Sequence, residues 1–422
     1  MIPDPSISAN PIKHDSFSAL RITEFRNYIS GRFLLTVASL IQAVIVGWQV
    51  YELTKDPFSL GMIGLAEAIP AILVALIAGH IVDTSNRKNV FLFAYGLLLL
   101  CALLLVIVSS DISQFLHTNK LASIYTIIFI SGIARGFTMP SAFAFMSQLV
   151  PKELFPNAVT WNASIWQFGA ILGPGVAGFV FSIFGFSLSY LFIAVLNVLG
   201  IVFIMTIAKK PVPQTSHDGS LARRLTAGVR FVFKDKIILS AISLDLFAVL
   251  FGGATALLPI FSAEILFTGP QGLGMLRAAP SIGAVIVALF LTRRPPVHDT
   301  GKKLLSCVFG FGICMIIFAV SKDFYLSLFI LALSGAFDAV SVVIRQTIIQ
   351  IMTPDNMKGR VSAVNSIFIG SSNEIGAFES GLAAKLMGVV PSVIFGGTMT
   401  LIVVFFVLLM SPKLRNLKLE PS

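Results

Sequence analysis

Twelve predominantly apolar runs follow one another between residues 28 and 410, each near the ~20 residues needed to cross about 30 Å of hydrocarbon. They fall at about 28–51, 58–81, 89–110, 121–147, 158–183 and 187–207, and then at 236–262, 271–291, 303–320, 324–351, 360–386 and 391–410. Composition agrees. The chain is 56% hydrophobic and 12% charged, with a mean hydropathy of +0.90. That is half the charge, about 25%, of a soluble domain. Helices satisfy every backbone polar group internally, so the runs predict an all-α integral membrane protein.

Basic residues give the expected sidedness. An even number of spans puts both termini on one side. Assigning them to the cytoplasm collects 22 of the 30 lysines and arginines there, against four outside (Lys55, Lys120, Lys322 and Lys385) and four within spans. This is the positive-inside pattern of a plasma-membrane protein (here a bacterial inner membrane), and it accounts for the net charge of +10 without nucleic acid as a partner. No apolar stretch after a basic start opens the chain, so the first span is expected to serve as insertion signal. Cys101, Cys307 and Cys314 all sit in apolar runs, with no CxxC pair, which excludes a disulfide framework. The five histidines are scattered and no HExxH occurs, so no metal site or cofactor is expected.

These runs divide the chain into a cytoplasmic segment 1–27, a six-helix half 28–207, a linker 208–235, a second six-helix half 236–410 and a tail 411–422. The linker ends in LARRLTAGVRFVFKDK, a basic amphipathic helix expected to lie on the anionic inner membrane surface. Membrane lipids are therefore expected partners. The halves repeat. A shift of 203 places Ser131-Gly132 on Ser334-Gly335, Pro151 on Pro354, Gly173 on Gly376 and Gly178 on Gly381. A different offset aligns EAIP at 67–70 with RAAP at 277–280. Two parallel six-helix repeats are the architecture of major facilitator transporters. In this frame Glu67 aligns with Arg277, and Arg135 with Asp338.

Enzyme signatures fail. GPGVAG at 173–178 fits GxGxxG, but it lies inside an apolar span, follows no strand and has no acidic residue about 20 positions on. No GxxxxGK[ST] occurs. The stretch containing it instead presents Gly169, Gly173 and Ala177 every four residues, a face for close helix packing, with Pro174 able to bend the helix.

Charges inside spans carry the functional expectation. At mid-membrane each costs about 2.5–3.5 kcal/mol unless paired or hydrated. Glu67, Arg135, Asp245, Arg277, Asp338, Glu374 and Glu379 fall within spans; Arg32, Glu264 and Arg345 lie near span ends, where a long side chain can reach the headgroups. Asp338 and Arg345 are two helical turns apart on one face. Glu374 replaces Ile171 of the first half under the shift, so the duplicated frame does not require it. A desolvated carboxylate there can exchange protons; a structural pair with Arg135 is the equal alternative.

GHIVDTSNRK, with Gly79, Asp83, Arg87 and Lys88, resembles the loop 2–3 signature of the major facilitator superfamily. It departs from that signature at Thr84, where a basic residue is usual, and at Asn86, where glycine is common. Arg135-Gly136 resembles the superfamily's span 4 arginine, and GAILGPGVAG its span 5 antiporter signature, with Gly169, Gly173, Pro174 and Gly178. EFRNYISGRF, DLFAVLFGGATALLPIF, GLGMLRAAPSIGA and GRVSAVNSIFIGSSNEIGAFESG are similar to the branch that includes the enterobactin exporter and related drug and secretion-effector transporters. The resemblance spans roughly residues 18–410. It implies a monomeric, proton-coupled exporter of a small amphipathic molecule, drug or siderophore in type. It also implies a gate in which Asp83 meets the start of span 11 near Lys358 to Ser362. A substrate and proton pathway would be lined by spans 1, 4, 7 and 10. Asp245, Asp338, Arg345, Arg135, Glu67, Glu374 and Glu379 would supply charge, and Trp48, Gln49, Phe247 and Phe251 walls. A nutrient importer on the same fold, or a receptor without transport, stays open.

Overall fold

The computed structural model describes residues 15–110, 119–212, 221–293 and 299–418. Twelve spans cross. In order they are α1 (Thr23–Thr54), α2 (Pro57–Thr84), α3 (Arg87–Ser109), α4 (Lys120–Met146), α5 (155–184), α6 (186–205), α7 (Lys236–Gly252), α8 (Gly269–Arg293), α9 (Thr300–Val320), α10 (Phe324–Met352), α11 (Asp355–Met387) and α12 (Val389–Met410). By length and hydropathy alone ten helices qualify. The other two have physical explanations. α5 and α6 form one continuous helical run, turned at Gly185 (φ +68°), and α11 carries Lys358, Arg360, Glu374 and Glu379 within an otherwise crossing helix.

Local chemistry sets the helix boundaries. Lys55 adopts a left-handed conformation after α1, and Pro57 opens α2. Asn86 caps α3 by accepting from the Asn89 amide (3.2 Å). Asp235 caps α7 through the Ile237 and Ile238 amides, and Asp323 caps α10 through that of Leu326 (2.7 Å). Gly185 and Gly388 both require positive φ, and both turn one span into the next. They are 203 residues apart, the repeat shift itself.

Each half is a six-helix bundle, and matched residues make matched contacts. Gly132 of α4 packs on Pro70 of α2, and Gly335 of α10 packs on Pro280 of α8. The halves meet along two crossings, α2 with α11 and α5 with α8. At the first, Gly61 and Gly381 abut; a Cβ on Gly381 would stand 2.6 Å from Gly61 Cα. At the second, a Cβ on Gly178 would stand 2.5 Å from the Pro270 carbonyl oxygen. Gly169 and Gly173 turn instead toward Thr36 and Leu40 of α1, within the first half. The small-residue face of α5 thus serves two interfaces.

The helix Leu221–Lys234 packs on α11 and α7. Val232 is buried with Ile349, Val361 and Val364, and Gly228 lies against the Arg360 backbone. Part of its apolar face is thus covered by the second half, while Val229 and Phe233 stay exposed.

Candidate functional site: a charged cavity between the halves

With twelve spans both chain ends lie on one side, here the terminal side; the other is the far side. Between the halves, near the middle of the spans, is a cavity of about 270 Å³, close to the lower end of the roughly 300–1,000 Å³ typical of drug-sized sites. Residues of α1, α2, α4, α7, α8 and α11 line it. The lining differs from the expected set of spans 1, 4, 7 and 10, because the α2–α11 crossing brings those two helices into the wall and α10 stands behind α8.

One wall is a broken helix. α7 stops at Gly252, Gly253 leaves helical geometry (φ −80°, ψ 79°), and short irregular turns continue through Ile265. The Gly253 carbonyl accepts from Ser380 Oγ (3.1 Å), while Gly253 and Thr255 face the cavity. Irregular backbone at membrane depth is tolerated where protein buries it or a cavity hydrates it. Transporter sites form at such breaks.

Four charges face this space, two from each half: Glu67 on α2, Arg135 on α4, Arg277 on α8 and Glu374 on α11. Glu67 Oε1 and Arg135 Nε form an ion pair at 2.5 Å. Among the described residues Arg277 makes one long hydrogen bond, Nη2 to the Thr255 carbonyl oxygen at 3.5 Å, and its buried Nε has no partner. The small size of Gly47 and Gly64 brings α1 and α2 close to these groups. A Cβ on Gly47 would lie 3.5 Å from Arg277 Nη2, and one on Gly64 would lie 3.6 Å from Glu374 Oε2.

The far side is tied shut across the halves. Tyr51 Oη donates to Glu264 Oε1 (2.6 Å), Lys385 Nζ pairs with Asp56 Oδ1 (2.8 Å) and Gln271 donates to Ser182 (3.2 Å). Phe58 of α2 meets Phe378 of α11 edge-on at 5.9 Å. Burial pushes the Asp56 carboxyl up, but the hydrogen bond and charge of Lys385 outweigh it and hold it below its ordinary value. Toward the middle, Gln167 donates to the Ser281 carbonyl oxygen (3.1 Å).

Several expected site residues lie elsewhere. Asp245 and Arg345 form an ion pair with each other, both nearly inaccessible, inside the second half. Arg345 therefore does not snorkel; the carboxylate on α7 compensates its charge where headgroups cannot reach. Arg32 donates to Tyr28 Oη (3.2 Å) within the first half. Asp338 is exposed on α10, Glu379 is half-buried on α11, and neither lines the cavity. Gln49 is buried behind the wall, accepting from Tyr190 Oη (2.8 Å) and donating to Ser109 Oγ (2.9 Å), and Trp48 donates to Glu52 (2.5 Å). Phe247 and Phe251 stack on each other, likewise outside the lining.

The basic pair that opens α3 binds its own half. Arg87 donates to the Ala144 carbonyl oxygen (3.0 Å), and Lys88 Nζ donates to the carbonyl oxygens of Met205 (2.9 Å) and Ile207 (2.5 Å). Asn86, the departure from the resembled signature, is the α3 cap, and its amide also donates to the Lys210 carbonyl oxygen (2.9 Å). Asp83 is half-buried in the last turn of α2, and nothing lies within 4 Å of a Cβ placed on Gly79.

Sequence reasoning placed Arg277 among the charges within spans but drew it into no site, and it missed the α7 break and Gln42, which also lines the cavity. The break had a signal in Gly252-Gly253, a glycine pair in mid-span followed by Pro259. Gln42 had none beyond its polarity.

Two six-helix halves closing on a charged mid-membrane cavity define a membrane transporter of the major facilitator type, a carrier of small molecules. The chain matches the family described as transmembrane secretion effector over residues 14–422, and it belongs to that family. It is 23% identical over 397 residues to the enterobactin exporter EntS of Salmonella typhi, covering 94% of each chain. Among solved structures it is similar to a POT family transporter in complex with 5-aminolevulinic acid (TM-score 0.72, 13% identity, 92% of this chain and 96% of that one). It is also similar to the xylose transporter XylE of E. coli in an inward open conformation (TM-score 0.67, 12% identity, 94% and 97%). These structures share the fold.

Proposed function

We propose that the chain is a proton-coupled exporter of a small amphipathic molecule, working by alternating access as a monomer in a bacterial inner membrane, with both termini cytoplasmic. The observation that carries this reading is the charged cavity between the two halves, bridged on its far side by polar ties. With cytoplasmic termini the far side is external, and those ties hold the cavity closed to the outside. Export is supported by the likeness to an exporter over 94% of the chain. Glu374 is the proton-exchanging group. It comes from the second half, faces Glu67, Arg135 and Arg277 across the cavity, and among the described residues has no ion-pair partner of its own. Asp83, Arg87 and Lys88 belong to the cytoplasmic gate. The two basic residues brace the loop on its own half, and Asp83 is the residue that meets the start of α11 across the halves.

Everted membrane vesicles containing the chain test this. With an acid interior imposed, amphipathic drugs and siderophores should accumulate inside, and a protonophore should abolish the accumulation. Uptake that persists with the protonophore overturns the coupling, and flux of the opposite sign overturns export.

A further inference from the structure

The cavity charges also specify the cargo. Glu67 and Arg135 satisfy each other. Arg277 and Glu374 do not: they make no ion pair with each other, the Arg277 Nε is buried without a partner, and the Glu374 carboxylate makes no hydrogen bond among the described residues. The second half therefore presents one open cation and one open anion to the same space. Each is held at membrane depth, where an uncompensated charge is costly. An anionic cargo on Arg277 alone would leave the cavity with net negative charge, and a cationic cargo on Glu374 alone would leave it positive. A molecule carrying both groups leaves it neutral and compensates both residues.

We propose that the cargo is a small amphipathic zwitterion. Its carboxylate or similar planar oxyanion sits on the Arg277 guanidinium, which offers paired parallel donors. Its ammonium sits on Glu374, and its apolar body lies over Val46, Ile63 and Ile128. The Thr255 carbonyl oxygen at the α7 break holds the guanidinium from behind. This rests on the exporter reading and adds the chemistry of its coupling. A proton on Glu374 removes the counter-charge for the ammonium, so proton and cargo compete for one group, as antiport requires. The charged groups facing Glu374 are Glu67 on α2, Arg135 on α4 and Arg277 on α8. Of these, Glu67 is already engaged by Arg135.

The test is calorimetric titration of the purified full chain in nanodiscs with three matched probes: 2-naphthylalanine (zwitterion), its N-acetyl derivative (anion) and its primary amide (cation). The zwitterion should bind at least about tenfold tighter than either, the loss expected when one charge-assisted contact is removed, and its binding should weaken as pH is lowered. R277Q should erase the advantage of the zwitterion over the cation, and E374Q its advantage over the anion together with the pH dependence. R277K, which keeps the charge, should retain most of the discrimination. The proposal is overturned if wild-type protein binds none of the three or binds all alike, or if folded R277Q and E374Q discriminate as wild type does. Binding is read apart from transport. Proton-driven flux without this discrimination leaves the exporter reading standing and removes this one, and discrimination without any flux does the reverse.

Discussion

In the first half, Glu67 and Arg135 are joined at 2.5 Å. At the two matching positions of the second half the signs are inverted, as Arg277 and Asp338, and the two residues form no ion pair. The second half satisfies its charge elsewhere, between Asp245 of α7 and Arg345 of α10. Duplication thus conserved helix positions and glycine contacts while the polar partners were redistributed. The first half closes its pair within the cavity. The second closes its pair away from the cavity and leaves Arg277 and Glu374 open to it. The half with open charges is the one with freedom to engage a ligand.

The sharpest way to break this contrast is at the enclosed pair. D245N leaves the Arg345 guanidinium buried without compensation, and should destabilise the protein by about 3–5 kcal/mol. Thermal melting of purified protein in detergent measures it, and the double replacement D245L/R345M should recover most of the loss. A D245N protein that melts like wild type would mean that water reaches Arg345 and that the two pairs do not differ in kind. E67Q should cost less, about 1–3 kcal/mol, because Arg135 faces a cavity that can hydrate it and Glu374 lies within electrostatic reach. Its larger consequence should be in proton-driven uptake into vesicles, which should fall by an order of magnitude or more while expression is kept.

D338N sharpens the comparison from the other side. Asp338 has no ion-pair partner among the described residues, so neutralising it should move the melting free energy by no more than about 0.5 kcal/mol; a loss near that of D245N would reveal a pair formed in another state. D56N should likewise have a small effect on stability, about 0–1 kcal/mol, since Lys385 is more than half exposed. Its pH dependence has a definite sign. Pairing lowers the Asp56 pKa, so its contribution is complete above the ordinary carboxylate value near ~3.9 and is lost as pH falls through the lowered one. Far-side closure, read as cysteine labelling at introduced external sites, should therefore be flat between about pH 5 and about pH 8 in wild type. In D56N labelling should be raised throughout that range. Closure that weakens over this interval would assign the pH response to the far-side tie rather than to Glu374.

The spans could be read from the sequence because the solvent imposes them: hydrocarbon demands about 20 apolar residues per crossing. The Gly178 and Gly381 contacts were also legible, since small residues at matched positions have few uses in lipid other than close approach. The span at 360–386 matches α11, although its six charges make it a poor apolar run; position was a worse guide to charges. It failed for Arg345, which position alone put at a span end. Trp48 and Gln49 looked like wall residues because polar and aromatic side chains in a span suggest a cavity; in fact their hydrogen bonds to Glu52, Tyr190 and Ser109 seal them within the first half.

The sequence by itself determined a twelve-helix membrane protein, its duplication and the inventory of charges that had to be compensated. Both the hydrophobic requirement and the cost of a buried charge are local, and local patterns record them. Which charge meets which was decided only by tertiary structure. An ion pair depends on ångström-scale distances between side chains scores of residues apart, set by how α2 crosses α11, how α5 crosses α8 and where α7 breaks. That geometry left Glu67 closed on Arg135, Asp245 closed on Arg345, and Arg277 and Glu374 facing an open cavity.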